Sequence, residues 1–577
     1  MGNTVRTTIE ARHDFGKDAA PSSASKSYST ESSRQQAGHN LNSRHRFSKS
    51  RLHNSSRVFS TELLFGRRER TIKYQPIVSC GFMSLSQNPL IQEVLEKYKP
   101  IWALDHASGL LEWDLETYMP VDASKPRGFA FAQLALMKQQ HIVETAGLLS
   151  KAEKLTGLSD QERGILRVAK RDADYYTKIP PKLLEELERT PKEATVAWRD
   201  ARKKSDFSMF KPWLEKIVDL KKQEAEKLGY VGHPYNALLD RYEEGATVAD
   251  VDKVFSLLVP ELKRILKRVI SEGKFPPKHP LEQMQYQEEA MRRVNQELLT
   301  ILGMPEKTFR MDISTHPFTT GIAIEDVRIT TRYEGTDFKA TMFSTIHESG
   351  HALYELQMDP AFEYTPLSRV TSLGWHESQS RFWENFVGRS REFTKLIYPT
   401  LKKNLPFLSG YSEEDVYRYF NMVRPSLIRV DADELTYNFH IVLRYELEKK
   451  LIGGELSVSE IPSVWNEKME EYVGVRPRND AEGALQDVHW GDGYFGYFAT
   501  YSLGNTIAGM IFDRIRKDLD LEHVVARAEL GTIKQWLKEH VHKLGATYSP
   551  KELQRKQLGE AYNPQPLVKY LEQKYLT

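Results

Sequence analysis

Residues 343–353 read Phe-Ser-Thr-Ile-His-Glu-Ser-Gly-His-Ala-Leu, with His347 and His351 four positions apart. On an α-helix this spacing places both imidazoles on one face, one turn apart, so that they can share one metal ion. Glu348 is rotated by about 100° from His347, and its carboxylate can therefore flank the ion without binding it. The segment predicts a helix that carries a metal site.

The residue types in this segment point to metal-assisted hydrolysis. A catalytic zinc site has three protein ligands and an open position for water. The ion lowers the pKa of that water toward about 7 and polarises the substrate carbonyl, and Glu348 can act as the general base. His347 and His351 are the expected ligands.

Two neighbouring residues, His376 and Glu377, are candidates for the third ligand. Glu377 also fits a helical face with Arg381 and Glu384, which is typical of an exposed, ion-paired surface. The spacing alone does not distinguish these possibilities.

The rest of the chain predicts a mostly helical fold. Residues 321–333 alternate between apolar and polar side chains and are rich in β-branched residues. A turn at residues 334–337 then precedes Phe338–Phe343. We therefore expect a small β-sheet directly before the histidine helix. Elsewhere apolar residues recur at intervals of three and four. Clear examples of this pattern are Leu183–Trp198, Phe210–Leu228 and Val251–Val269. We expect a single body from residue 83 to 577.

Residues 1–82 differ in composition from the rest. They contain 14 Lys/Arg and 6 Asp/Glu, they are rich in Ser and Asn, and they include Cys80, the only cysteine of the chain. We interpret them as a disordered basic leader, either an organelle transit peptide or the result of a start codon assigned upstream of Met83.

The remainder, with 67 Lys/Arg and 73 Asp/Glu, has no basic stripe of the kind that binds nucleic acid, and no run of 18 apolar residues. We expect neither nucleic-acid binding nor membrane insertion. A body without cysteine suits a reducing compartment, which favours the cytoplasm, and it directs a metal toward His and carboxylate ligands.

Several short motifs accompany the histidine helix in a fixed order. They are Trp113-Asp114, Thr117–Pro120, His316-Pro317-Phe318, Asp326–Thr330, His376-Glu377-Ser378, Ile428-Arg429, Ala432–Tyr437 and Gln486–Trp490. As a set, from about residue 83 to the end, they resemble the thermostable carboxypeptidase Taq family of metallocarboxypeptidases, peptidase family M thirty-two.

The resemblance implies that Glu377 is the third ligand, with water in the fourth place. It implies a helical, clam-like body with a deep groove, similar to neurolysin and angiotensin-converting enzyme, and a homodimer with one ion per subunit. It also implies stepwise release of single C-terminal amino acids from peptides, with broad specificity and poor release of terminal proline. The expected ion is Zn²⁺, and the ligand set also suits Co²⁺ or Mn²⁺.

An exopeptidase needs a cation for the free carboxylate of its substrate, and a desolvated Arg suits this role best. Arg429 is the first candidate, and its alternative role is a buried ion pair with Asp433 or Glu434. Arg328, expected on an edge strand, is the second candidate. The backbone of residues 326–331 can add an extended peptide as a further strand.

The tetrahedral intermediate needs a hydrogen-bond donor for its oxyanion. The spacing of His489, Tyr494 and Tyr501 looks like the histidine and tyrosine pattern of neurolysin-type enzymes, and Tyr501 is the preferred donor. Three other residues complete the set of candidates. His316 and Tyr437 are expected at the groove, and His440 suits either the core or the site.

Two other functions fit the same motifs less well. One is an endopeptidase or a dipeptidyl carboxypeptidase on the same fold. The other is a non-catalytic helical binding protein with a structural zinc, which would need a fourth protein ligand.

Overall fold

Helices make up most of residues 85–577, which are the residues that the computed structural model describes. The first part contains α1 (Pro89–Thr117), α2 (Ser124–Ala152), α3 (Asp160–Lys178), α4 (Pro181–Lys204), α5 (Phe207–Leu228), α6 (Tyr235–Asp240), α7 (Val248–Glu272) and α8 (Glu288–Leu302). After a small sheet follow α9 (Phe338–Leu356), α10 (Leu373–Arg381), α11 (Arg391–Asn404), α12 (Glu413–Phe420), α13 (Tyr437–Gly453), α14 (Ile461–Tyr472), α15 (Ala499–Ile515), α16 (Leu521–Ala526), α17 (Leu530–His540), α18 (Pro550–Leu558) and α19 (Gln565–Leu576).

The three segments with the clearest helical periodicity lie in α4, α5 and α7, which confirms those predictions. Local sequence signals mark where such helices begin. Thr247 and Asp250 form a reciprocal capping box at the start of α7, and Ser159 and Glu162 do the same for α3. The fold is mostly α, as predicted.

The small sheet has three strands, β1 (Phe309–Ile313), β2 (Thr319–Ala323) and β3 (Asp326–Thr331), in the order β1-β3-β2. β1 pairs with β3 in parallel, and β2 pairs with β3 antiparallel. The sheet precedes the histidine helix, as predicted. However, β3 is the central strand, so the prediction that Arg328 lies on an edge strand is wrong. A peptide also cannot pair with β3, because both of its sides are already occupied.

The segment Phe338–Phe343 forms the first turns of α9 and is not a strand of the sheet. Its apolar residues continue the helical period, since Phe338, Met342 and Ile346 are four apart and all fully buried. The strand that pairs with residues 326–331 in place of this segment lies upstream, at residues 319–323.

Two further sequence predictions concern the leader and membrane insertion. The leader and its boundary at residue 82 lie outside the described residues. No helix within residues 85–577 combines the length and the apolar composition that crossing a membrane requires.

Candidate metal centre

The metal centre forms where α9 and α10 cross. A Cβ at Gly350 would lie 2.7 Å from the carbonyl oxygen of Gln379, so the missing side chain is what lets the two backbones approach. On its other side α10 packs on α15, where a Cβ at Gly504 would lie 2.7 Å from the side chain of Glu377. The position of Glu377 is therefore set by close packing on both sides of its helix.

The side chains of His347, His351 and Glu377 converge at this crossing, and all three are buried. The Nε2 atoms of His347 and His351 lie 3.6 and 3.5 Å from Glu377 Oε2. Two ligands bound to one zinc ion at about 2.05 Å and a tetrahedral angle are about 3.4 Å apart. The three groups thus fit a tetrahedral ion, and in residues 85–577 the group contains no fourth His, Cys or carboxylate ligand. A structural zinc site would require one.

His376, the alternative ligand, has a different surrounding. Its ring stacks on His351 with centroids 4.1 Å apart, and its Nε2 lies 3.2 Å from Glu355 Oε1. His376 lines the cavity around the histidine pair, but it does not belong to the group of candidate ligand atoms that lie within 4.8 Å of one another, whereas Glu377 does.

Substitution of these two residues separates their roles. We expect Glu377→Ala to lower the metal content strongly, because it removes one of three ligands, and His376→Ala to keep a measurable metal content. Metal analysis of the purified variants by mass spectrometry checks this. The reverse pattern would make His376 the ligand.

Charged residues surround the ligands. Glu384 Oε2 lies 2.9 Å from His347 Nδ1, and Arg381 donates to Glu377 Oε1 at 2.6 Å and to Glu384 Oε2 at 3.2 Å. Arg389 donates to the other oxygen of Glu384. A carboxylate behind a metal-binding histidine orients the ring and strengthens it as a ligand. The expected alternative, an exposed ion-paired face, is wrong, since Glu377 and Glu384 are buried.

Glu384 reaches His347 from an unusual backbone. α10 continues directly into a π-helix, Phe382–Gly388, and Glu384 lies within it. Such π-helical turns shift side chains relative to an α-helix and are frequent at functional sites. The position of Glu384 therefore does not follow from α-helical spacing.

The two histidines differ in their affinity for protons. Burial alone would lower the pKa of His347, but the charges of Glu377 and Glu384 outweigh it and raise the pKa to about 9. Burial and the neighbouring His376 hold the pKa of His351 well below its usual range. Without metal, His347 therefore carries a proton at neutral pH, whereas His351 is neutral.

Metal binding should displace this proton. Because a ligand must be deprotonated, we expect release of about one proton per ion at pH 7. The apparent metal affinity should rise about tenfold per pH unit and level off near pH 9. Calorimetric titration of the metal-free protein in buffers of different ionisation enthalpy measures this number. Binding without proton release would contradict the protonated state of His347.

Glu348, the predicted base, is buried beside the ligands. Thr319 of β2 donates to its Oε2 at 2.6 Å and also to its backbone carbonyl oxygen at 3.1 Å. The small sheet thus fixes the orientation of the carboxylate. Thr319 was not identified from the sequence, because its role depends on the packing of β2 against α9.

Tyrosines in and just before the first turn of α15 form another wall of the centre. Tyr501, Tyr497 and Thr500 line a cavity of ≈ 20 Å³ together with His347, Glu348 and His351. The hydroxyl of Tyr501 lies 3.4 Å from Nε2 of the buried His489. Tyr494 packs on Tyr497, with centroids 5.9 Å apart, and does not line this cavity. The sequence did not predict a role for Tyr497, because no feature of the sequence distinguishes it from the aromatic residues of the core.

Arg429 lies in a buried cluster of charges next to these tyrosines. It donates to Asp487 at 3.0 Å and to the hydroxyl of Tyr437 at 3.1 Å, and its guanidinium carbon is 5.3 Å from the centre of the Tyr501 ring. Arg444 donates to the other oxygen of Asp487 at 2.6 Å. Two guanidinium groups therefore share a single carboxylate.

The expected alternative partners of Arg429 have other roles. Asp433 accepts from the backbone N–H groups of Arg424, Leu435 and Thr436, and Glu434 accepts from Lys574 at 2.6 Å. The predicted ion pair exists, but its partner is Asp487.

The small cavity around the ligands is not lined by any of the remaining candidates, Arg328, His316 and His440. Arg328 donates to both carboxylate oxygens of Asp326 at 2.7 Å, and His316 is buried, with its carbonyl oxygen accepting from Thr330. His440 is fully buried, and burial together with the two arginines holds its pKa well below the usual range. His440 is thus a neutral member of the charge cluster.

A larger cavity opens beside the metal centre. It has a volume of ≈ 600 Å³ and shares Leu373 and His376 with the small cavity around the ligands. This volume lies in the usual range for ligand sites, about 300–1,000 Å³. The larger cavity meets the metal centre only at Leu373 and His376, and its lining contains none of His347, His351, Glu377, Glu348, Tyr501 or Arg429.

The chain matches one protein family over most of its length. Residues 93–575 match the family described as carboxypeptidase Taq (M32) metallopeptidase. The chain is 49% identical over 494 residues to thermostable carboxypeptidase 1 of Pyrococcus furiosus, covering 85% of this chain and 99% of the relative. It is 37% identical over 491 residues to carboxypeptidase 1 of Bacillus subtilis, covering 84% and 97%.

A solved structure of the Pyrococcus furiosus carboxypeptidase is similar in fold. It superposes with a TM-score of 0.84 at 48% identity, over 85% of this chain and 99% of that chain. The family match and the relatives together confirm the resemblance inferred from the motifs. The chain belongs to the carboxypeptidase Taq (M32) metallopeptidase family and is a metallocarboxypeptidase.

Proposed function

We propose that this metallocarboxypeptidase uses zinc to remove single C-terminal amino acids from peptides, with broad specificity and poor release of terminal proline. One observation carries the proposal. A buried His-His-Glu triangle lines the same cavity as Tyr501, and the centre of the Tyr501 ring lies 5.3 Å from the guanidinium carbon of Arg429, one of a buried pair of arginines that share one carboxylate. The triangle can hold the ion and the arginine pair can hold the substrate carboxylate.

The charges of the arginine cluster support carboxylate recognition. Arg429 and Arg444 are at most 1% exposed, and both pair with Asp487. A desolvated guanidinium binds a carboxylate through paired, charge-assisted hydrogen bonds. Tyr437, which accepts from Arg429, would help to orient the guanidinium toward a substrate carboxylate. Arg328 remains the second candidate, already paired with Asp326.

The residues around the ligands can then be given chemical roles. A bound divalent ion would lower the pKa of a water and polarise the scissile carbonyl. Glu348, oriented by Thr319, takes the proton of the attacking water and delivers it to the leaving amine. Tyr501 donates to the developing oxyanion, and His489 orients or polarises the Tyr501 hydroxyl. Tyr494 supports Tyr497 in the wall.

Broad specificity requires recognition of the peptide backbone. Since β3 is central, a peptide that adds to the sheet near the metal centre would have to pair with the edge strand β2. Its first residue, Thr319, donates a hydrogen bond to Glu348, so a peptide along this edge would pass close to the proposed general base Glu348. Main-chain hydrogen bonds are common to all substrates and would make side chains secondary.

Reloading the metal-free protein with one metal at a time tests zinc and specificity together. The assay offers a panel of pentapeptides that differ only in the last residue, and mass spectrometry follows the products. We expect Zn²⁺ to restore activity, all last residues except proline to be released at comparable rates, and proline to be released slowly. Restoration by Co²⁺ or Mn²⁺ but not by Zn²⁺ would contradict the assignment of the metal.

The assembly and the location remain predictions from the sequence. We propose a homodimer with one ion per subunit, and sedimentation velocity of the full chain would show the mass of two copies. A sedimenting monomer at micromolar concentration would contradict it. The cytoplasmic location is likewise a proposal, supported by the composition of residues 83–577.

A further inference from the structure

A second buried carboxylate lies outside the metal centre. Glu243, in the turn after α6, is 0% exposed and accepts from the backbone N–H of Gly374 and from the hydroxyl of Tyr562, both at 2.9 Å. Within residues 85–577 no Lys, Arg or His lies within 4.0 Å of this carboxylate. Burial accordingly raises the pKa of Glu243 to about 7. Such a group is expensive to bury, so its position needs an explanation.

One of the two partners of Glu243, Gly374, belongs to the first turn of α10, whereas the other, Tyr562, lies after α18. Gly374 is the second residue of that helix, and the N–H of Leu373 donates to the carbonyl oxygen of Tyr242 at 3.1 Å. Residues 242–243 thus accept from two consecutive N–H groups that have no partner within the helix. Glu377 lies one turn further along α10.

The packing leaves little room between this carboxylate and the metal ligand. A Cβ at Gly374 would lie 2.5 Å from Glu243 Oε2. A Cβ at Gly504 would meet both the side chain of Glu377, at 2.7 Å, and the carbonyl oxygen of Gly374, at 3.1 Å. A shift of the first turn of α10 is therefore transmitted to Glu377.

The same turn also touches the tyrosine wall. The ring of Tyr242 packs edge-on against Tyr497, with centroids 5.3 Å apart, and Tyr497 lines the cavity around the ligands. Residues 242–243 therefore contact both the helix that carries Glu377 and the wall that carries Tyr501.

We propose that Glu243 is a positioning residue that holds the first turn of α10 and thereby sets the place of Glu377 in the metal site. The inference rests on the proposed role of Glu377 as a ligand. Glu243 acts through α10 and does not touch the substrate. Groups that hydrogen-bond a metal ligand directly typically change metal affinity by roughly 10- to 100-fold when altered, and we expect an effect near the lower end of this range for Glu243, which acts one step further from the ion.

The chain offers a matched control in Glu448. This carboxylate is also 0% exposed, and it accepts from Tyr235 at 2.6 Å, from Trp490 at 2.8 Å and from the N–H of Gly496 at 3.0 Å. Burial raises its pKa to about 7 as well. Its partners lie in α6 and in the segment before α15, and none of them is in α10.

The test compares Glu243→Asp with Glu448→Asp. Each change keeps the charge and withdraws the carboxylate by one methylene group. The zinc dissociation constant is measured by competition with a chromophoric chelator, and thermal unfolding of the metal-free proteins is measured alongside. We expect both variants to lose stability, whereas only Glu243→Asp weakens zinc binding, by roughly 10-fold. Glu243→Gln, which keeps the length and an acceptor oxygen, should bind zinc nearly as wild type does.

The outcomes separate this inference from the proposed function. A wild-type protein that binds no zinc would contradict the metal site itself. Zinc binding that is normal in Glu243→Asp, or equally weakened in both Asp variants, would contradict only the positioning role. If Glu243→Asp does not fold, Gly374→Ala decides in the same way, because its Cβ would push the first turn of α10 off Glu243.

Discussion

Glu348→Gln is expected to bind zinc as wild type does and to lose nearly all turnover. The amide has the size of the carboxylate and can still accept from Thr319, so the ligands His347 and His351 should stay in place. It cannot take a proton from water. General-base catalysis typically contributes roughly 10²–10⁴-fold, and we expect kcat to fall by that amount while the zinc content stays unchanged.

The comparison with the ligands makes this result specific. His347→Ala or His351→Ala should lose both the metal and the activity, since each removes one of the three proposed ligands. Activity measurements and metal analysis on the same preparations separate the two effects. Normal turnover by zinc-loaded Glu348→Gln would remove Glu348 from the mechanism.

Arg429→Ala is expected to lower kcat/KM by roughly 30-fold or more. The loss of a charge-assisted pair in a dry site costs about 2–5 kcal/mol. Stability should change much less, because Arg444 still balances Asp487 after the substitution. Arg429→Lys should recover only part of the activity, since it keeps the charge but not the planar fork.

An amidated peptide shows whether Arg429 reads the carboxylate. Wild type should discriminate strongly between a peptide and its C-terminal amide, and Arg429→Ala should not. Arg328→Ala serves as the control, because Arg328 already pairs with Asp326 and should leave the discrimination intact. If Arg429→Ala still discriminates like wild type and Arg328→Ala does not, the anchor is Arg328.

Local sequence signals were sufficient for the helices and for the histidine pair. His347 and His351 lie in the same helix, so their spacing alone places them on one face. The motif also contains Gly350, and a glycine has no side chain to keep a neighbouring backbone away. The alternation of residues 321–333 indicated a sheet but not its strand order, because pairing depends on partners elsewhere in the chain. Arg328 was therefore placed on the wrong kind of strand.

Residues that act across elements were not accessible from the sequence. In the sequence Asp487 is distinguished only by its place in the motif Gln486–Trp490, yet it joins Arg429 and Arg444, which are 58 and 43 positions away. The sequence predicted that Glu384 lies on an exposed helical face, because the sequence of one helix does not show which of its polar faces another element buries. Its contact with His347 depends on the π-helix, which α-helical periodicity does not predict.

The most direct test of the central claim is a time course of peptide hydrolysis followed by mass spectrometry. The full-length protein is incubated with an unblocked decapeptide, with and without a chelator, and zinc is then added back to the chelated sample. We expect successive loss of single residues from the C-terminus, abolished by the chelator and restored by zinc. Internal cleavage, release of dipeptides, or activity that persists in the chelator would contradict a metal-dependent enzyme that removes one C-terminal residue at a time.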